Sequence, residues 1–196
     1  CLIGKERTKK VFYKFKETKE EKREEKEKLF KKYIIWLLEK YQEEAFEVIV
    51  KTELISNKIF MEEIIPKIKS KEDLKEKFLE YCNKNNKTET YQTQLIQLYI
   101  DKLFKLTGKE KKPEKLEGEA EKYYNLMMEV IKSKDSVYNK KLILEYIETS
   151  WLKEPRLILY SQLKEFNKAL EYLFKEAKET LSFTEMEEFC KNNNDN

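Results

Sequence analysis

Histidine is missing from this chain of 196 residues, and it has only 3 glycines, 3 prolines and 3 cysteines. The absence of histidine removes the commonest metal ligand and the commonest general base of enzymes. So few glycines and prolines argue against a β-sandwich or barrel and favour long helices. Because Cys1, Cys82 and Cys190 are far apart, they predict reduced thiols and not a disulfide framework or a zinc site.

Patterns typical of catalysis are missing as well. Gly4, Gly108 and Gly118 are isolated, so the sequence has no glycine-rich loop for a phosphate group. It has no G-x-S-x-G pattern and no histidine to activate a cysteine. Carboxylates are many, but pairs such as Glu62-Glu63 diverge on a helix and are typical of a solvated surface. We therefore expect no enzyme, no catalytic or metal-binding residues and no cofactor.

Charge is abundant and nearly balanced. The chain has 41 basic and 38 acidic residues, which favours solvated helix faces over a surface for nucleic acid. We see no signal peptide, and the longest apolar run, at 33–38, is far too short to cross a bilayer. These features predict a cytoplasmic protein, and the first residue, Cys1, suggests a fragment of a longer one.

Apolar residues recur at helical spacing from residue 29 onward, which predicts a succession of helices without strands. Within the charged segment 1–28, residues 1–16 are interpreted as a frayed terminus or the remnant of a preceding repeat, and the almost purely charged residues 17–28 as an exposed helix or a disordered linker. We expect a first group of helical hairpins over 29–107, a loop over 108–118 and a second group over 119–196. The predicted fold is all-α, an α-solenoid of antiparallel hairpins like the clathrin heavy-chain repeat, with an irregular helical bundle as the alternative.

The segment 150–190 shows the hairpin pattern most clearly. Its first helix opens at Glu154-Pro155, and its predicted apolar side consists of Leu157, Ile158, Tyr160 and Leu163. Its second helix carries small and large apolar residues at helical spacing: Ala169, Leu170, Leu173, Phe174 and Ala177. A third helix follows, and Met186 and Phe189 are predicted to point inward from it.

The first regular helix has an apolar face predicted from spacing alone, formed by Leu29, Tyr33, Trp36, Leu37 and Lys40. Trp36 and Trp151 are of the residue type enriched at interface hot spots. Both lie beside apolar helical neighbours, however, which favours core packing for each of them.

The run E-P-R-x-x-L-Y-x-x-L-x-x-x-x-K-A-L at 154–170, followed by E-M-E-E-F-C at 185–190, resembles a helical repeat of one family. These are the vacuolar protein sorting subunits of the HOPS and CORVET tethering complexes, the family that includes the TGF-β-receptor-associated protein. The matching positions in the hairpin are Glu154, Leu159, Ala169, Leu170, Glu188, Phe189 and Cys190. The preceding helices are similar at Trp36, Glu44, Ile49, Phe78, Leu79, Glu80, Leu95, Ile96, Leu98, Tyr99 and Leu103.

The resemblance implies a scaffold segment that acts by protein–protein docking in endosome-to-vacuole or lysosome trafficking and membrane fusion. The implied partners are other tethering-complex subunits, with a Rab GTPase contacted only through parts of the full-length protein outside this chain. It also implies peripheral association with endosomal and vacuolar membranes through the complex. Because solenoid ends expose apolar faces that a partner must cover, the predicted docking residues are Tyr172, Phe183, Met186 and Phe189.

Two other functions stay open at this point. One is a helical adaptor or scaffold of another class. The other is a lysine-rich helical protein that binds nucleic acid or a membrane surface through residues 5–16, where basic and aromatic residues alternate. Steep salt dependence of RNA binding would support the nucleic-acid alternative, although the balanced charge leads us to expect no nucleic-acid partner.

The loop at 108–118 generates a first prediction. It contains Gly108, Pro113 and Gly118 and only one large apolar residue, Leu116, so it has little surface to bury. Limited digestion with trypsin should therefore cut within this loop before it cuts the flanking helices, as mass spectrometry of the first fragments would show. First cuts within 95–104 would contradict the assignment of that segment to a helix.

Overall fold

The computed structural model describes residues 23–52, 56–68, 71–180 and 183–193, and these residues are almost entirely helical. The helices are α1 (Arg23–Lys40), α2 (Gln42–Thr52), α3 (beginning as Asn57–Ile59), α4 (Lys71–Asn85), α5 (Glu89–Thr107), α6 (Gly118–Lys132), α7 (Lys140–Ile147), α8 (Lys153–Gln162), α9 (Phe166–Thr180) and α10 (Thr184–Asn193). Within these ranges there is no β-strand, which confirms the all-α fold class. No helix in them combines the length and apolar character needed to cross a membrane.

Short side-chain caps explain where several helices begin. The hydroxyl oxygens of Ser56 and Thr88 accept hydrogen bonds from backbone N–H groups three residues later, both at 3.3 Å. The side-chain oxygen of Asn139 caps α7 in the same way, at 3.0 Å from the nitrogen of Leu142. Gly108, with φ at 79°, ends α5, and residues 108–117 are non-helical. The predicted loop 108–118 therefore coincides with a break between helices, except that Gly118 already belongs to α6.

The helix α3 changes its geometry along its length. After Asn57–Ile59 it continues as a π-helix over Phe60–Ile64 and ends as a 3₁₀ turn over Ile65–Lys67. Pro66 lies in that last turn, where its ring and its missing N–H prevent a regular continuation.

The chain divides into two compact units between Phe78 and Leu79. In the first unit Phe60 is fully buried and lies between Phe46 and Phe78, with ring centroids 6.1 and 4.8 Å away. These tilted aromatic pairs form the centre of its core. The segment 1–22, which makes up most of the predicted charged segment, lies outside the described residues.

The apolar face predicted for α1 is correct for Leu37, which is buried, and wrong for Leu29 and Trp36. Leu29 is 63% exposed and Trp36 is 47% exposed, so neither packs in the core. The buried side consists of Leu37 together with Ile34 and Leu38, and the helix contacts α2 and the π-helical part of α3. The helix has apolar residues on both sides, and its packing partners decide which side is covered.

The second unit is a succession of helices that contact their neighbours along the chain. Helix α5 packs on α6 and α7, α8 packs on α6, α7 and α9, and α9 packs on α10. The core between them is aliphatic, with Leu95, Ile96, Ile100, Met127 and Ile147 essentially unexposed. Burial of this kind contributes about 25 cal/mol per Å² of apolar surface removed from water.

Two buried polar side chains near the start of α5 fix the connection between α6 and α7. The amide oxygen of Gln92 accepts a hydrogen bond from the backbone nitrogen of Val137 at 2.6 Å. The hydroxyl oxygen of Thr93 accepts one from the backbone nitrogen of Asn139 at 2.9 Å. Backbone N–H groups that leave water need such partners, so these two contacts hold the non-helical segment 133–139 against α5.

One charged side chain is buried where α7, α8 and α9 meet. Arg156 is only 5% exposed, and its Nη2 donates hydrogen bonds to the carbonyl oxygens of Ile147, at 3.0 Å, and Ser150, at 2.6 Å. The guanidinium carbon lies 4.4 Å from the ring centroid of Tyr172 on α9. The carbonyls at the end of α7 carry negative partial charge, and the ring face does as well, so both stabilise the cation.

The turn between α8 and α9 is tight, and the buried side of α8 that precedes it differs from the predicted apolar side. Lys164, with φ at 59°, occupies the left-handed region between the two helices. Leu159 and Tyr160 are the buried large apolar residues of α8, whereas Leu157 and Ile158, which were predicted to belong to the same side, are half-buried. The sequence contains apolar residues around most of this short helix, so spacing alone did not separate the two sides.

Ala169 tests the packing of α8 against α9. It is completely buried, and these two helices contact each other directly. Ala169→Leu should overpack this contact and lower the free energy of unfolding by about 1–3 kcal/mol. The measurement is urea denaturation followed by circular dichroism.

The matched control for this measurement is Glu171→Leu, an equally large side chain placed at an exposed position of the same helix. It should leave the free energy of unfolding within about 0.5 kcal/mol of that of the unchanged chain. An Ala169→Leu protein as stable as this control would contradict close packing at Ala169.

Candidate functional site

The second unit has an open cleft of about 710 Å³ on its surface. Its walls come from α6 on one side and α10 on the other, and α8 forms its floor. Residues from the 108–117 loop and from the segment between α7 and α8 complete it. We call it the α8 cleft.

The floor of the α8 cleft is apolar. Leu157 and Ile158 of α8 and Phe189 of α10 line it, and all three are half-buried. Trp151, which precedes α8, lines one end. An apolar floor that is only partly covered is the usual character of a site that binds another apolar surface.

One rim of the α8 cleft is held by a carboxylate with two donors. Lys132 donates to one oxygen of Glu154 and the hydroxyl of Tyr124 donates to the other, both at 2.8 Å. The hydrogen bond from Lys132 lowers the pKa of Glu154 below its usual value, burial opposes this, and the hydrogen bond from Tyr124 lowers it further. Burial and the bond to Glu154 raise the pKa of Tyr124. Glu154 is therefore ionised and fixed in place at neutral pH.

The opposite rim is formed by polar groups of α10. Lys153 forms an ion pair with Glu185, and the hydroxyl of Ser161 is hydrogen-bonded to the side chain of Asn193. These contacts attach both ends of α10 to α8. They hold Phe189 at the floor, where its ring also lies 6.4 Å from that of Phe166.

Trp151 connects the α8 cleft to the loop at 108–117. Its indole N–H donates to the carbonyl oxygen of Gly108 at 3.0 Å, and its backbone N–H donates to that of Lys109 at 3.2 Å. Its ring stacks on Tyr124 at 6.3 Å and meets Phe104 edge-on at 6.5 Å. The prediction that Trp151 packs between helices describes it in part, because it is half-buried and also lines the cleft.

Of the four predicted docking residues, only Phe189 lines the α8 cleft. Tyr172 is covered on one face by Arg156. Phe183 is 50% exposed and pairs with the exposed Phe174 at 6.3 Å, next to the cleft wall but not in its lining. Met186 is half-buried on α10.

Sequence reasoning missed two residues of the cleft floor. Leu157 and Ile158 were interpreted as core because they lie at helical spacing with buried neighbours, and spacing alone contains no signal of where α10 lies. Among the cysteines, Cys82 is fully buried, and this burial raises the pKa of its thiol to about 11, as expected for an unreactive core residue. Cys190 is half-buried. No cluster of three or more metal-ligating side chains occurs within the ranges that the structure describes.

Comparison with known proteins adds no relative: no family model, no curated protein and no solved structure matches this chain.

The link between Trp151 and the loop can be tested directly. Trp151→Phe keeps an aromatic ring but removes the indole N–H, so the hydrogen bond to Gly108 is lost. We expect the free energy of opening the start of the loop to fall by about 0.5–1.5 kcal/mol. Tryptic cleavage at Lys109 and Lys111 should therefore become faster.

The measurement is the initial rate of cleavage at these sites at fixed protease concentration. Trp36→Phe makes the same chemical change on an exposed tryptophan and is the control, with cleavage in the loop expected at the unchanged rate. Equal rates in both variants would show that the indole bond does not restrain the loop.

Proposed function

We propose that this chain is a scaffold segment that acts by binding other proteins along a stack of helices. The observation that carries this proposal is the α8 cleft, an open concave surface with an apolar floor and charged rims. Grooves with this combination receive an amphipathic helix, whose apolar residues cover the floor while its polar residues meet the rim. Nothing in this function requires a bond to be made or broken.

The contacts between helices support an α-solenoid as the architecture of this scaffold. In the second unit the main contacts join helices that are adjacent or next-but-one in the chain, from α5 to α10. Such contacts are typical of solenoids, in which every repeat touches only its neighbours. A solenoid built in this way gains length and surface without needing a central core, which suits it to binding several partners.

The resemblance to the HOPS and CORVET subunits supports a specific setting, vesicle tethering in the endosomal and vacuolar or lysosomal pathway. Two of the residues that carry it, Leu159 and Ala169, are fully buried between α8 and neighbouring helices. Two others, Glu154 and Phe189, lie in the α8 cleft. The resemblance therefore involves both the packing of the hairpin and its exposed surface. It supports sister tethering subunits as the partners.

The experiment replaces the apolar residues of α10. Met186→Asp with Phe189→Asp should abolish recovery of tethering subunits when the tagged full-length protein is captured from its own cells. The reason is that a charge at 189 on the apolar floor, and a second one at 186 on the same helix, would have to lose their water in the complex. Co-purifying subunits are identified by mass spectrometry.

The control places the same two charges on exposed apolar residues outside the α8 cleft, as Val137→Asp with Leu142→Asp. This control should recover the partners at the unchanged level. Circular dichroism of both proteins checks that the helices upstream of α10 stay folded. If the α10 variant also recovers the partners at the unchanged level, α10 does not bind them and the scaffold role lies in another part of the protein.

A further inference from the structure

The outer face of α1 carries an exposed aromatic group that the scaffold function does not use. Tyr33 and Trp36 follow Leu29 along one side of the helix, and Tyr41 comes directly after its end. Trp36 is 47% exposed and Tyr41 is 43% exposed. We call Tyr33, Trp36 and Tyr41 the aromatic corner.

The rings of the aromatic corner are arranged as two walls around a positive charge. Trp36 and Tyr41 stand at 77° to each other with centroids 6.4 Å apart, and Tyr33 stacks behind Trp36 at 5.6 Å and 24°. The ammonium of Lys40 lies 5.2 Å from the centroid of Trp36 and 5.6 Å from that of Tyr41. The chain's own cation therefore occupies the space between the two ring faces.

Two electrostatic features favour a cation at this place. The faces of aromatic rings carry negative partial charge, and the last turn of α1 presents carbonyl oxygens at the negative end of its dipole. A lysine ammonium is small and strongly hydrated, so it gives up little of its water on an open surface. A quaternary ammonium has a spread charge and apolar methyl groups that fit against ring faces, which is the chemistry of known aromatic cages.

We propose that the aromatic corner binds a quaternary ammonium group of the choline type and that Lys40 occupies the site when this ligand is absent. Trp36 and Lys40 are four residues apart and would meet on any helix. The second wall is not explained by that spacing, because Tyr41 lies in the bend after α1 and its ring turns back towards the ammonium. This second wall is what distinguishes a site from an ordinary helical contact.

Nuclear magnetic resonance of the two indole N–H groups tests the proposal with its own internal control. Tetramethylammonium chloride is titrated into the ¹⁵N-labelled chain, and sodium chloride at the same ionic strength serves as the reference. The Trp36 indole signal, assigned from Trp36→Phe, should shift in a saturable manner with tetramethylammonium alone. The Trp151 indole signal, whose N–H is bonded to Gly108, should stay in place.

Two variants make the test decisive. Lys40→Met removes the internal cation, so tetramethylammonium should bind roughly two- to fivefold more tightly, the factor that one exposed cation–π contact corresponds to. Tyr41→Leu removes the second wall and should abolish the saturable shift of Trp36. Both residues are exposed, so neither change should disturb folding, which circular dichroism verifies. No saturable shift in Lys40→Met, or an undiminished one in Tyr41→Leu, would overturn the proposal.

Two further titrations, one with free choline and one with phosphatidylcholine vesicles, distinguish a free metabolite from a lipid headgroup as the source of the ligand. Phosphatidylglycerol vesicles, which lack a quaternary ammonium, are the reference in a co-sedimentation assay. Binding to phosphatidylcholine vesicles that Tyr41→Leu loses identifies a lipid headgroup as the ligand. A shift of Trp36 with choline but no sedimentation identifies a free metabolite, and failure of both overturns the proposed class of ligand.

Discussion

The buried guanidinium of Arg156 is the interaction on which the second unit depends. Moving a charge out of water costs several kcal/mol unless its hydrogen bonds and charge are compensated inside the protein. Here two carbonyl oxygens from the end of α7 and the segment after it, together with the ring of Tyr172, supply part of the compensation. The buried Nε of Arg156 has no hydrogen-bond partner among the described residues. Since these groups come from α7, the segment after it and α9, Arg156 on α8 is stabilised only when the three helices are in their observed arrangement.

This constraint also determines what α8 exposes. Successive residues of a helix are 100° apart, so turning Arg156 and Leu159 inward forces Leu157 and Ile158 towards the opposite side. That side is the floor of the α8 cleft. The cleft is therefore a consequence of how α8 packs, and an ion pair between Lys153 and Glu185 joins α8 to α10 beside it.

Local signals in the sequence predicted the elements well and their orientation poorly. The helices and caps such as Ser56 and Thr88 depend on residues close in the chain, so they follow from spacing and cap chemistry. The outward face of α1 does not follow from local signals, because Trp36 and Leu37 are both apolar and only long-range contacts decide which one is buried. The α8 cleft could not be predicted from local signals either, because its floor depends on where a helix about thirty residues away packs. The choice of Phe189 as a docking residue stays a prediction.

The rims of the α8 cleft determine how a partner would be oriented more than how tightly it would bind. Exposed ion pairs such as Lys132–Glu154 contribute about 0–1 kcal/mol each, and the groups are already satisfied before any partner arrives. The apolar floor at Leu157, Ile158 and Phe189 can gain free energy only when another apolar surface covers it. For a partner bound in the α8 cleft, affinity would therefore depend on the floor, while the charge of Glu154 would select partners whose own charges do not oppose it.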